Sequence, residues 1–233
     1  MGVLETPVTD AVDLATPGRL AGRLEFASLI VITDVDDGEV PGGVGLVRAL
    51  LGRLAPSAQV VTLSEIDTAR PRSGMLVHGR AHRLGASMGW QKHLEVGAPA
   101  VGERELNGAF VFRDPRPFHP GRLHEAISTQ LIPERVGRII RSRGFTRLAS
   151  RPDSVGAWST AGDVLDLDPT GMDSWDPDSP IGQEIVLFGL DLRLEVLEET
   201  LTSCLLNTSE LLAGPTVWAT YADPFPRWAI HRH

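Results

Sequence analysis

The sequence predicts an α/β unit followed by an α+β domain in which an antiparallel sheet is backed by helices. Two patterns carry that prediction. Early in the chain, two short apolar runs rich in branched residues flank one helical repeat, the strand–helix–strand order of a parallel crossover. Beyond residue 105, short strand-like runs separated by tight-turn residues lie between segments of helical spacing, the pattern of an antiparallel sheet with helices against it. The 233 residues, 42% of them hydrophobic, suffice for one large domain or two small ones with real cores.

Residues 1–19 are mixed polar, carry Pro7 and Pro17, and show no sustained periodicity, so they read as a loose lead-in. The apolar run 26–32 predicts a buried strand that ends in the acidic turn Thr33-Asp34-Val35-Asp36-Asp37-Gly38. Val44, Val47, Leu50, Leu51 and Leu54 then recur at helical spacing, and a second strand is expected at 59–63, after Pro56. A parallel crossover is normally part of a wider sheet covered on both faces, so residues 20–66 read as the remnant of a larger domain. Scattered Gly, Pro, Arg and His make residues 67–105 an expected linker, with a short helix around Trp90.

The second domain is expected over residues 106–212. A strand at 109–113 leads through the step Pro115-Arg116-Pro117-Phe118-His119-Pro120 into a helix with Pro120 in its first turn and Leu123, Ile127 and Leu131 on its buried stripe. Pro133 interrupts that stripe; Val136, Ile139 and Ile140 resume it to a stop at Gly144, which predicts a two-part helix. Strands at 146–150, 155–159 and 164–167 then form a meander, separated by Pro152-Asp153 and Ala161-Gly162 turns. A last strand at 184–189 precedes a helix with Leu194, Leu197, Leu201 and Leu205 on one face, and residues 213–233 form an aromatic tail.

A formal charge of -8 argues against generic nucleic-acid binding, which rests on strong positive potential. No stretch approaches the roughly 18 apolar residues of a spanning helix, and the first residues lack a basic segment followed by an apolar run, so a cytoplasmic protein without membrane contact is expected. The single cysteine, Cys204, excludes an internal disulfide and any site of several thiolates; on an apolar helix face it reads as core. Lys92, the only lysine, stands between Gln91 and His93, so no Gly-Lys-Ser/Thr phosphate loop exists in this sequence. With no nucleophile elbow or metal-hydrolase helix motif either, no catalytic residue is assigned and this chain alone is not expected to be a P-loop nucleotide hydrolase.

Metal binding has one local candidate. His78 and His82 are four residues apart, a spacing that on a helix turns both imidazoles to one metal ion, with the nearby His93 available as a third ligand; the spacing does not select the metal, and zinc is one that such ligands hold. Gly79 and Gly85 weaken such a helix, and histidines in a linker are commonly plain surface residues. His119 and His124 flank the start of the helix after the first sheet strand, where capping or pairing with carboxylates is expected. His231 and His233 read as a polar chain end. Trp218, Tyr221, Phe225 and Trp228 form an aromatic cluster with two readings: an exposed anchor for a protein partner, or a segment that folds back over the sheet.

The string Phe112-Arg113 through Arg116-Pro117-Phe118-His119-Pro120-x-Arg122-Leu123-His124 resembles the opening of the C-terminal domain of CobW-type GTPases. The likeness continues through Arg141-Ser142-Arg143-Gly144-Phe145, Leu148-Ala149-x-Arg151-Pro152-Asp153, Trp158-Ser159-x-Ala161-Gly162, Glu184-x-Val186-x-Phe188-Gly189 and Cys204-Leu205-Leu206 with Glu210-Leu211. Upstream, Leu24-Glu25-Phe26-Ala27 and Leu54-Ala55-Pro56-x-Ala58 resemble the late strand and following helix end of that family's GTPase domain. The tail Trp218-x-x-Tyr221-x-Asp223-Pro224-Phe225-x-x-Trp228 looks like an actinobacterial branch that contains a mycobacterial factor recruiting a ribosome-hibernation protein under zinc starvation.

The resemblance implies a guanine-nucleotide domain and metal handling, and the sequence departs from it in three places. There is no phosphate loop; one cysteine cannot supply the family's Cys-x-Cys-Cys; and Thr33-Asp34-Val35-Asp36 stands where the family has Asn-Lys-x-Asp, leaving Thr33, Asp34 and Asp36 as a vestigial guanine-recognition turn. The expectation is a non-catalytic interaction module of metal homeostasis that recruits a ribosome-hibernation factor under zinc limitation. The alternative is the C-terminal half of a split or truncated metallochaperone GTPase. A protein partner is expected in either case, a ribosome-associated factor in the first and a P-loop GTPase half in the second; a vestige without function is the third reading.

Overall fold

The computed structural model describes residues 17–33, 43–56, 58–68, 90–91, 94 and 109–228. The first unit runs α1 (Pro17–Glu25), β1 (Leu29–Ile32), α2 (Gly43–Leu54), β2 (Gln59–Thr62) and α3 (Leu63–Thr68). β1 and β2 pair in parallel, with Ile30 opposite Val60 and Val31 opposite Val61, so the expected strand–helix–strand crossover is present. Two expectations fail at its start. Residues 17–19 open α1 rather than a loose lead-in, and residues 26–28 lie outside the strand, with Phe26 74% exposed. The physical reason is Glu25, whose carboxylate is buried against the second domain and carries the helix through to that residue.

The second unit runs β3 (Ala109–Asp114), α4 (Pro120–Thr129), α5 (Pro133–Val136), β4 (Arg138–Thr146), β5 (Ser154–Ala161), β6 (Val164–Asp173), β7 (Gln183–Leu190), α6 (Leu194–Ser203), α7 (Thr208–Ala213) and α8 (Pro215–Trp218). Its five strands form one antiparallel sheet in the order β3-β7-β4-β5-β6. The last strand in sequence thus lies between the first two, and β4-β5-β6 is the meander.

The predicted two-part helix over 120–144 is corrected here. The helical stretch ends at Gly137, and Ile139 and Ile140 belong to β4, as does Thr146, which was expected to open a separate strand at 146–150. Gly137 sits at φ 83, a conformation that side chains disfavour, and a Cβ there would lie 2.2 Å from the Asp191 carbonyl oxygen. Helix-compatible spacing of three branched residues therefore gives way to a turn that only glycine fits, and branched residues extend readily once past it.

Alternation along the strands sorts the side chains onto two faces. On one face Phe110 and Phe112 of β3, Ile185 and Leu187 of β7, Trp158 of β5 and Leu167 of β6 pack against Leu123 and Ala126 of α4 and Leu197 and Leu201 of α6. Phe118, in the step before α4, is fully buried and bridges Leu148 and Leu205. Leu123 is 0% exposed, so Leu123→Ala is expected to lower unfolding free energy by about 2–5 kcal/mol, as read from the denaturant midpoint. Trp158 buries its indole and donates Nε1–H to Ser142 Oγ at 2.7 Å, which supplies the partner its burial demands.

The opposite face carries Ala109, Val186 and Phe188 with Trp90, whose ring meets Phe145 edge-on at 5.6 Å. The same face receives α1. Glu25 and Arg141, 1% and 3% exposed in their side chains, pair at 2.8 Å, and Arg143 reaches the second carboxylate oxygen at 3.2 Å. Arg141 also donates to Ser159 Oγ and the Thr160 carbonyl, so the buried guanidinium is bonded on both sides. No helix among the described residues is long and apolar enough to cross a membrane.

Candidate functional site

The polar groups of the second unit converge where α4 begins and the C-terminal segment returns. His119 is the N-cap of α4: its Nδ1 accepts from the Arg122 amide at 3.3 Å, and Pro120 occupies the first helical position, where a missing N–H costs nothing. Burial first, then the neighbouring Arg122 cation, hold the His119 imidazole below its ordinary pKa, so it is neutral at pH 7 as an acceptor must be. Arg122 forks onto Glu210 at 2.8 and 2.7 Å and donates to the Leu205 carbonyl at 2.7 Å. Glu210 closes a capping box on α7 with Asn207, whose amide it accepts at 2.8 Å.

The hydrogen bonds to Arg122, foremost, pull the Glu210 carboxyl down to about 2. Its folded value lies below its ordinary 4.5, so the stabilisation is present above that ordinary value and fades as pH falls through about 2. An acid titration of Glu210→Gln followed by tryptophan fluorescence is therefore expected to lose the part of the stability slope that the wild-type chain shows between those two values.

The C-terminal segment is fastened to this cluster ring by ring. Trp218 donates Nε1–H to the Glu210 carbonyl at 2.6 Å; Tyr221 stacks on His119 at 4.9 Å; Phe225 packs on the main core and meets His124 edge-on at 5.7 Å. Trp228 donates to the Leu167 carbonyl at 2.7 Å and covers Gly156, with the Arg151 guanidinium 4.2 Å above its ring. Arg151 further binds Asp223 at 2.8 Å and the Pro226 carbonyl at 2.8 Å. All four aromatic residues are half-buried against the domain.

Cys204 is buried at the end of α6 and donates to the Thr200 carbonyl at 3.2 Å. Burial pushes its thiol upward, which disfavours the thiolate needed by a nucleophile or a metal ligand. Of the other candidate residues, Thr33 directly follows β1 and is exposed, whereas Asp34, Asp36, His78, His82, His93, His231 and His233 lie outside the described residues. Among the described residues no three His, Cys, Asp or Glu side chains group as metal ligands.

Sequence reading missed the clasps themselves: Arg122 with Glu210, 88 residues apart, and Arg151 with Asp223, 72 apart. Each partner stood inside a quoted motif, but nothing local pairs residues at such separations.

Fold and cluster together define a two-part protein, a parallel strand–helix–strand unit held by a buried ion pair to a helix-backed antiparallel sheet. Residues 108–205 match the family described as "Cobalamin synthesis protein cobW C-terminal domain". The chain is 27% identical over 241 residues to the zinc-regulated GTPase metalloprotein activator 1 of Dictyostelium discoideum, covering 93% of this chain and 50% of that one. A protein of Mycobacterium tuberculosis named as a zinc chaperone is 27% identical over 235 residues, covering 89% of this chain and 53% of its own length. The chain is thus similar to a zinc-regulated GTPase metalloprotein activator and to a zinc chaperone, and spans about half the length of these relatives. Among solved structures it is similar to the Zn(II)-bound YjiA GTPase of E. coli, with a TM-score of 0.42, 14% identity, and coverage of 79% of this chain and 54% of that one.

Proposed function

We propose that this chain acts as the C-terminal, non-hydrolysing part of a zinc metallochaperone of the CobW type, in concert with a P-loop-bearing part supplied on the same polypeptide or a separate one. The observation that carries this reading is the joint: a CobW C-terminal domain ion-paired, through Glu25, to a parallel crossover of the kind found in nucleotide-binding sheets. The relatives' names point to zinc as the cargo. In this reading the sheet domain supplies docking surface and the nucleotide chemistry belongs to the other part, because the sequence holds no phosphate loop.

A second reading, recruitment of a ribosome-hibernation factor under zinc limitation, draws support from the aromatic C-terminal motif, with Trp218, Tyr221, Phe225 and Trp228 as its partner-binding residues. One experiment separates the two. The tagged chain is expressed in its own host with and without zinc, and stoichiometric partners are identified by mass spectrometry. A P-loop GTPase in the eluate supports the first reading with its partner on a separate polypeptide; ribosomes or a hibernation factor, appearing only without zinc, support the second; recovery of neither overturns the second and the separate-polypeptide form of the first.

A further inference from the structure

A pocket of about 240 Å³ opens on the second unit between the Pro-rich step before α4, the turn after β4 and the C-terminal helices. Its walls are apolar, from Pro117, Leu148, Leu211 and Trp218 among others, with two exceptions, Arg116 and Arg147. Arg116 is neutralised by its own neighbour: Asp114 accepts from it at 2.9 and 2.8 Å, a bidentate pair. Arg147 differs. Its guanidinium bonds the Ser174 carbonyl, its Nε is buried without a hydrogen-bond partner, and among the described residues it has no carboxylate within ion-pair distance.

Burial alone pulls the Arg147 pKa down, with no opposing contribution from an acidic partner. A cation left in that condition, in a chain with a net charge of -8, is costly unless an anion completes it. The position is built. Gln183 is 1% exposed and all four of its bonds serve this wall: its Oε1 accepts from Thr146 Oγ1 and the Arg147 amide, and its Nε2 donates to the Arg116 and Arg147 carbonyls.

We propose that this pocket is a docking site for a partner polypeptide, and that it takes an acidic side chain whose carboxylate pairs with Arg147 while its stem lies on Pro117 and Trp218. A guanidinium fork is shaped for a carboxylate. A polypeptide is favoured over a free inorganic anion because the walls are mostly apolar. The chain neighbours of the site are also exposed apolar residues: Leu212 beside Leu211 is 83% exposed, and Trp175 beside Ser174 is 74% exposed. The site is independent of the reading of the chain as part of a metallochaperone.

The test is titration of the full ¹⁵N-labelled chain with acetyl-Ala-Glu-Leu-amide, its Gln counterpart and inorganic phosphate, following the Trp218 indole N–H. The Glu peptide is expected to shift that resonance and to bind roughly tenfold more tightly than the Gln peptide, with the difference removed by Arg147→Gln and reduced by added salt. Arg138→Gln, an exposed position on β4, is expected to leave binding unchanged. If Arg147→Gln fails to fold, Arg147→Lys and the salt dependence of the wild-type chain supply the same comparison. Equal binding of both peptides, no binding of either, or full binding by Arg147→Gln would overturn the proposal. So would phosphate matching the Glu peptide in affinity, which would reassign the pocket to a free anion.

Discussion

Replacing Glu25 with alanine is expected to release α1 from the sheet, with a loss of about 3–5 kcal/mol if the site stays closed, since it leaves Arg141 charged, buried and without its counter-ion. The lower end of that range is expected, because Ser159 Oγ at 3.1 Å and the Thr160 carbonyl at 2.9 Å go on bonding the guanidinium. There is also a cheaper escape: a helix of nine residues can lift away and let water reach Arg141. Hydrogen exchange therefore separates local from global effects. Amides in α1 are expected to lose protection while those of β4 and β7 keep theirs. If α1 amides are equally protected in both chains, the ion pair is not what holds the two units together.

The second large effect is expected at Gly144. It lies in mid-strand, and a Cβ added there would stand 1.9 Å from the Glu184 carbonyl oxygen and 2.7 Å from the Ile185 Cα. Real contacts do not come so close, so Gly144→Ala must push β4 away from β7 at the centre of the sheet. That movement drags Ile185 and Leu187, both essentially fully buried, out of the core on the helix-covered face. A loss of about 4 kcal/mol or more is expected, among the most severe for a point change. Gly52→Ala in α2 is the contrasting control. Nothing lies within 4 Å of its Cβ, and an alanine suits a helix interior better, so the denaturant midpoint should not fall. Equal losses from the two changes would show that close approach at Gly144 is not the cause.

Gly144 also marks where sequence reading and structure part. As a glycine following Val136, Ile139 and Ile140, it reads as a helix stop, yet it is a strand residue that lets two backbones meet. The helical stop is Gly137, and the reason is a contact with Asp191, 54 positions on, that no local pattern carries. The same holds for Phe26, expected at the start of a strand and found exposed after a helix whose last residue is claimed by a distant sheet.

By itself the sequence determined what depends on neighbours along the chain. The β1–α2–β2 crossover follows from two branched apolar runs around one helical repeat, and α4 and α6 follow from Pro120 and from the spacing of the leucines. It also determined the absence of a phosphate loop from these residues, because that loop is a contiguous string with one lysine. Only the tertiary structure decided the order β3-β7-β4-β5-β6, the Arg122–Glu210 and Arg151–Asp223 clasps, the packing of four aromatic rings on the domain, and the pairing of Glu25 with Arg141. Nearly all of these are contacts between residues tens of positions apart. Their energy comes from burial and complementary charge in three dimensions, which periodicity along the chain does not encode.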